Sequence, residues 1–138
     1  MEFNNIENFD PSTCISGKIN RIKRITGTVF RKHLSPFGIT SSQLSLLFIL
    51  SKKQQLTQKQ LSEFAILEKS SLNRNLKRLV ERKLLSREQF PLISITKDGK
   101  YFVDNIIPVW EKAMHEIKSK LGEDGQSALQ TIHHNLTQ

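Results

Sequence analysis

Apolar residues recur at three- and four-residue steps through Ile15, Ile19, Ile22, Ile25 or Thr26, Val29, Phe30 and Leu34. This stripe, roughly six turns long, predicts a long amphipathic helix. Asp10-Pro11 supplies its start, with aspartate as N-cap and proline at the first helical position, where the missing N–H costs nothing. Ser35-Pro36-Phe37-Gly38 stops it. Thr40 and Gln43 form a capping box that opens a second helix through Leu44, Leu47, Phe48 and Leu50 to about Lys53. Thr57 and Gln60 repeat the device before a short helix carrying Leu61, Phe64 and Ala65. Ile66-Leu67-Glu68 interrupts the pattern, and a new run from Ser70 or Ser71 places Leu72, Leu76, Leu79 and Val80 on one face.

After Lys83 the period changes. Leu84 to Arg87 and Leu92 to Ile95 are short β-prone stretches, which predict a small hairpin. Thr96 then caps another long helix with its stripe at Phe102, Ile106, Val109, Ala113, Ile117 and Leu121. Pro108 is expected to kink it, because its ring displaces the carbonyl of Asp104. Gly122 ends it, and a last helix carries Ala128, Leu129, Ile132 and Leu136.

The predicted fold is mainly α with a small β-hairpin. Within a single domain over 1–138, a winged helix-turn-helix occupies about 37–100, and long dimerisation helices flank it at about 11–35 and 101–138. The terminal stripes are about 30 Å or more long at 1.5 Å per residue, more than a small three-helix core covers. An intertwined homodimer is therefore favoured over a compact monomer.

Composition narrows the class. With 37% hydrophobic and 25% charged residues in 138, the chain is of ordinary globular make-up, which excludes disordered, collagen-like and disulfide-scaffold classes. The longest uninterrupted apolar run, Leu46 to Leu50, is far too short for a membrane span, and the acidic, Asn-rich start is not a signal peptide. A soluble cytoplasmic protein with no membrane partner is expected. The net charge of +8 is local: residues 18–32 hold six bases and no acid, and residues 70–100 hold eight bases against three acids. A basic middle between acidic ends favours a polyanionic partner, since phosphate neutralisation with counterion release supplies most non-specific nucleic-acid affinity.

Two helices, a tight connection, a basic helix and a hairpin follow the order of a winged helix-turn-helix, whose second helix enters the DNA major groove. That helix runs from Ser70 to Lys83; its leucines face inward and leave Ser71, Asn73, Arg74, Lys77 and Arg78 on or near the opposite side. Arginine pairs bidentately with guanine and asparagine with adenine, while serine and lysine donate to bases or phosphates.

The stretch Leu61 to Arg87, then Ser94 to Gly99, with the Ile39-Thr40-x-x-Gln43 entry to the second helix, resembles the MarR family of bacterial transcriptional regulators. The resemblance covers most of the chain. It implies a homodimer joined through N- and C-terminal helices, with each recognition helix in a major groove of a pseudo-palindromic operator in double-stranded DNA. It also implies a cytoplasmic, nucleoid-associated repressor, released by a small aromatic effector or by oxidation. By the family pattern Ser70, Ser71, Asn73, Arg74 and Arg78 fall at operator-contacting positions. An effector cavity is expected between the terminal-helix region and the winged helix, lined by the first, second and fifth helices. Two features depart from the pattern. The family usually has glycine where Lys83 stands, and its wings are usually longer, with an acidic-x-Arg signature. Here seven residues separate Arg87 from Ile95, Pro91 among them, so Arg87 or Lys97 is expected to touch phosphate.

Cys14, the only cysteine, falls in the first turn of the first helix, where the helix dipole lowers a thiol pKa; this makes it a redox-sensing candidate. A small buried hydrophobe is the favoured alternative. His33, His115, His133 and His134 lack metal-ligand spacing, and no Gly-rich phosphate loop, Gly-x-Ser-x-Gly elbow or His-Glu-x-x-His occurs, so neither a metal, a cofactor nor an enzyme is expected. The second hypothesis is a winged-helix protein–protein module whose basic face meets an acidic partner.

Overall fold

Local capping chemistry sets most of the helix starts. The computed structural model describes residues 2–138, so only Met1 of the expected 1–138 domain lies outside the described residues. In order, these form α1 (Asn4–Asn8), α2 (Ile15–Leu34), α3 (Ser41–Lys53), β1 (Gln55–Thr57), α4 (Gln58–Phe64), α5 (Lys69–Glu81), β2 (Leu85–Ser86), β3 (Leu92–Ile95) and α6 (Lys97–Leu136). Both predicted capping boxes are present: Thr40 and Gln43 open α3, and Thr57 and Gln60 open α4. Thr96 accepts the Gly99 N–H at 2.9 Å and opens α6.

The first cap works differently from expectation. Asp10 caps only a single 3-10 turn, Pro11–Thr13, and accepts from the Ser12 hydroxyl and N–H, which together hold its carboxyl below the usual range. The long helix starts afresh with Cys14 as N-cap. Cys14 is thus one step outside the first turn, and it is exposed rather than buried, because the adjoining part of the stripe, Ile15 to Ile25, lies largely uncovered among the described residues. The basic helix begins at Lys69, one residue ahead of the expected start, with Glu68 at the N-cap position and no side-chain cap bond.

The predicted hairpin gains a third strand. The sheet order is β1-β3-β2, antiparallel throughout, with Leu56 opposite Ile93 and Leu85 opposite Ile95. In α6 the one residue with non-helical dihedrals is Gly122 (φ 69, ψ 178), whereas the backbone at Pro108 stays helical. The expected helix end at Gly122 is thus present as a break, at a positive φ that no Cβ opposes, whereas the expected kink at Pro108 leaves the dihedrals helical.

Leu44, Leu46, Leu47 and Leu50 of α3 are fully buried between α5, the sheet and α6, together with Leu72, Leu76 and Leu79 of α5 and Ile106 of α6. Each such side chain contributes about 1.5–3 kcal/mol relative to an exposed one. Phe48 meets Trp110 edge to face at 5.4 Å, fixing α3 against α6. The polar tie between the long helices is Glu116, which accepts from Lys32 Nζ at 2.6 Å and lies 3.2 Å from His33 Nε2. Chiefly Lys32, then His33, hold the Glu116 carboxyl below its ordinary range. A lowered carboxyl pKa stabilises the fold above the unfolded value, and that contribution disappears as pH falls through the folded value. Glu116→Gln should therefore lower the melting temperature at neutral pH, and the difference from wild type should vanish in acid; an equal difference at both ends would contradict the linkage.

α5 ends in a Schellman motif. Leu84 N–H donates to Leu79 O at 3.0 Å and Lys83 N–H to Val80 O at 2.9 Å, with Leu79 and Leu84 both buried beneath. Lys83 occupies the left-handed position at φ 62. The glycine usual in the family is absent, yet its conformation is kept. Lys83→Gly should relieve the Cβ crowding there and stabilise the fold by about 1 kcal/mol, read as a rise in denaturant midpoint at constant slope.

Candidate nucleic-acid interface

The face of α5 opposite its leucines is formed as the periodicity predicts. Asn73, Arg74, Lys77 and Arg78 are exposed, as is Ser70, while Ser71 is half-buried. Arg74 Nη2 donates to Ser71 Oγ at 3.3 Å, so the serine helps to aim the guanidinium. Asn73 is also held: its Oδ1 accepts from Gln58 Nε2, at the start of α4. Asn75, on the flank, accepts from the buried capping glutamine Gln43 at 3.4 Å, tying α5 to α3.

Arg87, the seventh candidate, sits apart from α5 at the base of the wing turn, exposed, its carbonyl accepting the Phe90 N–H at 3.1 Å. The tip beyond it is blunt, with Phe90 79% exposed. Six of the seven candidates thus lie along α5 and the seventh on the adjoining hairpin.

Sequence reasoning missed several residues at this face. Gln58, Lys59, Ser62, Lys69 and Leu72 line a groove of about 420 Å³ between α4 and α5, placing two lysines beside the exposed face of α5. Lys59 and Lys69 were legible as basic residues, but their convergence depends on how α4 packs. Arg82 was also missed. Its Nη1 donates to Gly38 O at 2.8 Å and its guanidinium lies 5.2 Å from the centre of the Phe102 ring, so it joins the end of α5 to the α2–α3 corner and to α6.

That corner carries the clefts nearest to the expected effector cavity. One, of about 300 Å³, is lined by Gly27, Arg31, Ser35 and Gly38 through Ser41. Its neighbour, of about 500 Å³, adds Lys23, Arg24 and Phe30. Both lie between α2 and α3; the expected third wall from α6 is not among their lining residues, because α6 packs on the other side of α2 through Ile117 and Leu121. Among the described residues no group of three or more His, Cys, Asp or Glu side chains gathers to hold a metal ion, and no single helix is long and apolar enough to cross a membrane.

Residues 37–91 match the MarR family. YwoH of Bacillus subtilis (strain 168), an uncharacterized HTH-type transcriptional regulator, is 27% identical over 116 residues, covering 80% of this chain and 85% of that protein. In fold the chain is similar to BpsR of Bordetella bronchiseptica, whose DNA binding is regulated by 6-hydroxynicotinic acid: the TM-score is 0.82 at 18% identity, over 93% of this chain and 97% of that one. It is also similar to the MarR-family protein Rv2887 of Mycobacterium tuberculosis in its complex with DNA, with TM-score 0.71 at 18% identity over 91% and 99% of the two chains. A three-stranded wing beside a basic, outward-facing second helix makes this a winged helix-turn-helix DNA-binding regulator of transcription. The match runs from the entry to α3 to the wing tip, so over residues 37–91 this chain carries a segment similar to MarR-family regulators.

Proposed function

We propose that the protein is a homodimeric repressor that binds a pseudo-palindromic operator, one α5 in each of two successive major grooves, and leaves it when a small aromatic acid binds. One observation carries the dimer: the N-terminal part of the α2 stripe, Ile15 to Ile25, lies largely uncovered among the described residues, whereas Val29 and Leu34 further along are buried. Ile15, Ile19, Ile22 and Ile25 are between 45% and 75% exposed, and Leu129, Ile132 and Leu136 at the end of α6 between 47% and 72%. An uncovered apolar face of this length on both terminal helices is the mark of an obligate interface. A cleft of about 160 Å³ between Ile22, Ile25 and Val29 of α2 and Ile117 and Leu121 of α6 offers a seat for apolar side chains of a second copy.

In this reading Asn73 and Arg74, early on α5, reach base edges, with Ser70 and Ser71 beside them. Lys77, Arg78 and Arg87 meet phosphates. The α2–α3 clefts suit an aromatic carboxylate, with Arg24 and Arg31 as its counter-charges and Phe30 as an apolar wall. BpsR responds to an acid of that class. The Arg82 bonds to Gly38 and Phe37 supply a physical link from this corner to the end of α5.

Sedimentation at micromolar concentration should return twice the chain mass of 15.9 kDa. A monomer that still binds a palindromic duplex would overturn the proposed assembly.

A further inference from the structure

The Gln58–Asn73 hydrogen bond joins the first residue of α4 to an exposed residue of the recognition helix, and it bears on how that helix reads a base. A free asparagine amide turns over about its last torsion at little cost, so it presents either its carbonyl or its amino group to a given point. Adenine is matched only when the carbonyl oxygen accepts from N6 while the amino group donates to N7. An amide able to turn over is matched part of the time only, and holding it in the matching orientation on binding costs entropy that a fixed amide does not lose.

Gln58 removes that freedom. Its backbone is fixed by the capping box around it, in which Thr57 Oγ1 accepts the Gln60 N–H at 3.1 Å and Gln60 Oε1 accepts the Thr57 N–H at 2.9 Å. From this fixed point Gln58 Nε2 donates to Asn73 Oδ1, which turns the carbonyl toward α4 and the amino group away from it. One lone pair of Oδ1 and both amino hydrogens stay available, which is the set that adenine needs. The pair stands at the rim of the α4–α5 groove between Lys59 and Lys69, on the basic side of the helix pair.

We propose that Gln58 is a positioning residue for DNA reading: it fixes the polarity of the Asn73 amide so that α5 selects adenine at one position of each half-site. The proposal rests on the reading of α5 as the base-contacting helix. Gln58 itself need not touch a base.

The test is selection of bound sites from a random duplex library by the full chain, wild type and three variants. Gln58→Met keeps the length and removes the donor; Asn73→Ala and the double variant complete the cycle. Wild type should enrich adenine at one position per half-site, and Asn73→Ala should abolish that preference. Gln58→Met should reduce it by about twofold, the share lost when the amide occupies either orientation, leaving the other positions, the salt slope and the melting temperature unchanged. The double variant should match Asn73→Ala at that position, because Gln58 acts only through Asn73. Full adenine preference in Gln58→Met, or a further loss in the double variant, would overturn the inference while leaving DNA reading by α5 intact. A wild-type chain that enriches no site would instead overturn the DNA reading on which it rests.

Discussion

Replacing Gly99 by alanine should lower the stability of the protein by about 3 kcal/mol and its Tm by about 10 °C, since it is the glycine whose added methyl meets the closest neighbour. A Cβ there would lie 2.2 Å from Leu84 O and 2.7 Å from Ile95 Cγ1. The first of these is backbone and cannot swing aside. Gly99 sits where three elements meet. Its N–H is capped by Thr96, whose Oγ1 also donates toward Lys83 O at 2.7 Å and Leu84 O at 3.0 Å, while Thr96 N–H donates to Leu84 O at 3.1 Å. This knot holds the exit of α5, the end of β3 and the start of α6 together. Forcing it open should tilt α6 against the recognition helix, so DNA affinity should fall in the folded fraction too. A Gly99→Ala protein with wild-type melting would show that the close approach is not required.

Arg74→Ala should weaken binding to the preferred site by about 1–3 kcal/mol and flatten discrimination at one position in each half-site, as loss of a bidentate base contact does. Arg74 is aimed by its bond to Ser71 and stands early on α5, where base edges are within reach. Lys77 lies one turn later, exposed, and its replacement by alanine should weaken all sequences nearly equally and reduce the salt slope by about one per lost phosphate contact. Arg87→Ala, at the blunt wing, should resemble the lysine change. If Arg87→Ala erased a preference at the flanks while Arg74→Ala left specificity intact, the wing would be the reader and the assignment of α5 would fall.

What could be read from the sequence was what local chemistry decides. The capping pairs Thr40 with Gln43 and Thr57 with Gln60, the stop at Gly38, and the leucine face of α5 each depend on residues within a turn or two, and each is present. β1 was invisible, because Gln55, Leu56 and Thr57 become a strand only by pairing with Leu92 to Ser94, far along the chain. The exposure of Cys14 was not legible, because a small, weakly polar side chain such as cysteine suits a buried position and nothing local says whether the chain covers it. At the candidate site the exposed face of α5 followed from period alone, whereas the Gln58 bond to Asn73 and the clamp of Arg82 depend on how helices pack. Lys83 illustrates the converse: the left-handed turn is imposed by the Schellman bonds and the buried Leu79–Leu84 contact, and lysine follows at a cost.

Titration of a random-sequence duplex at rising salt tests most directly whether the basic face is a DNA-reading surface. With Lys77, Arg78 and Arg87 on phosphates in both protomers, about six contacts, the logarithm of affinity should fall against the logarithm of salt with a slope of about −5. A protein–protein module with the same fold would bind no duplex even at about 50 mM salt, and that result would contradict the DNA-binding function proposed for this chain.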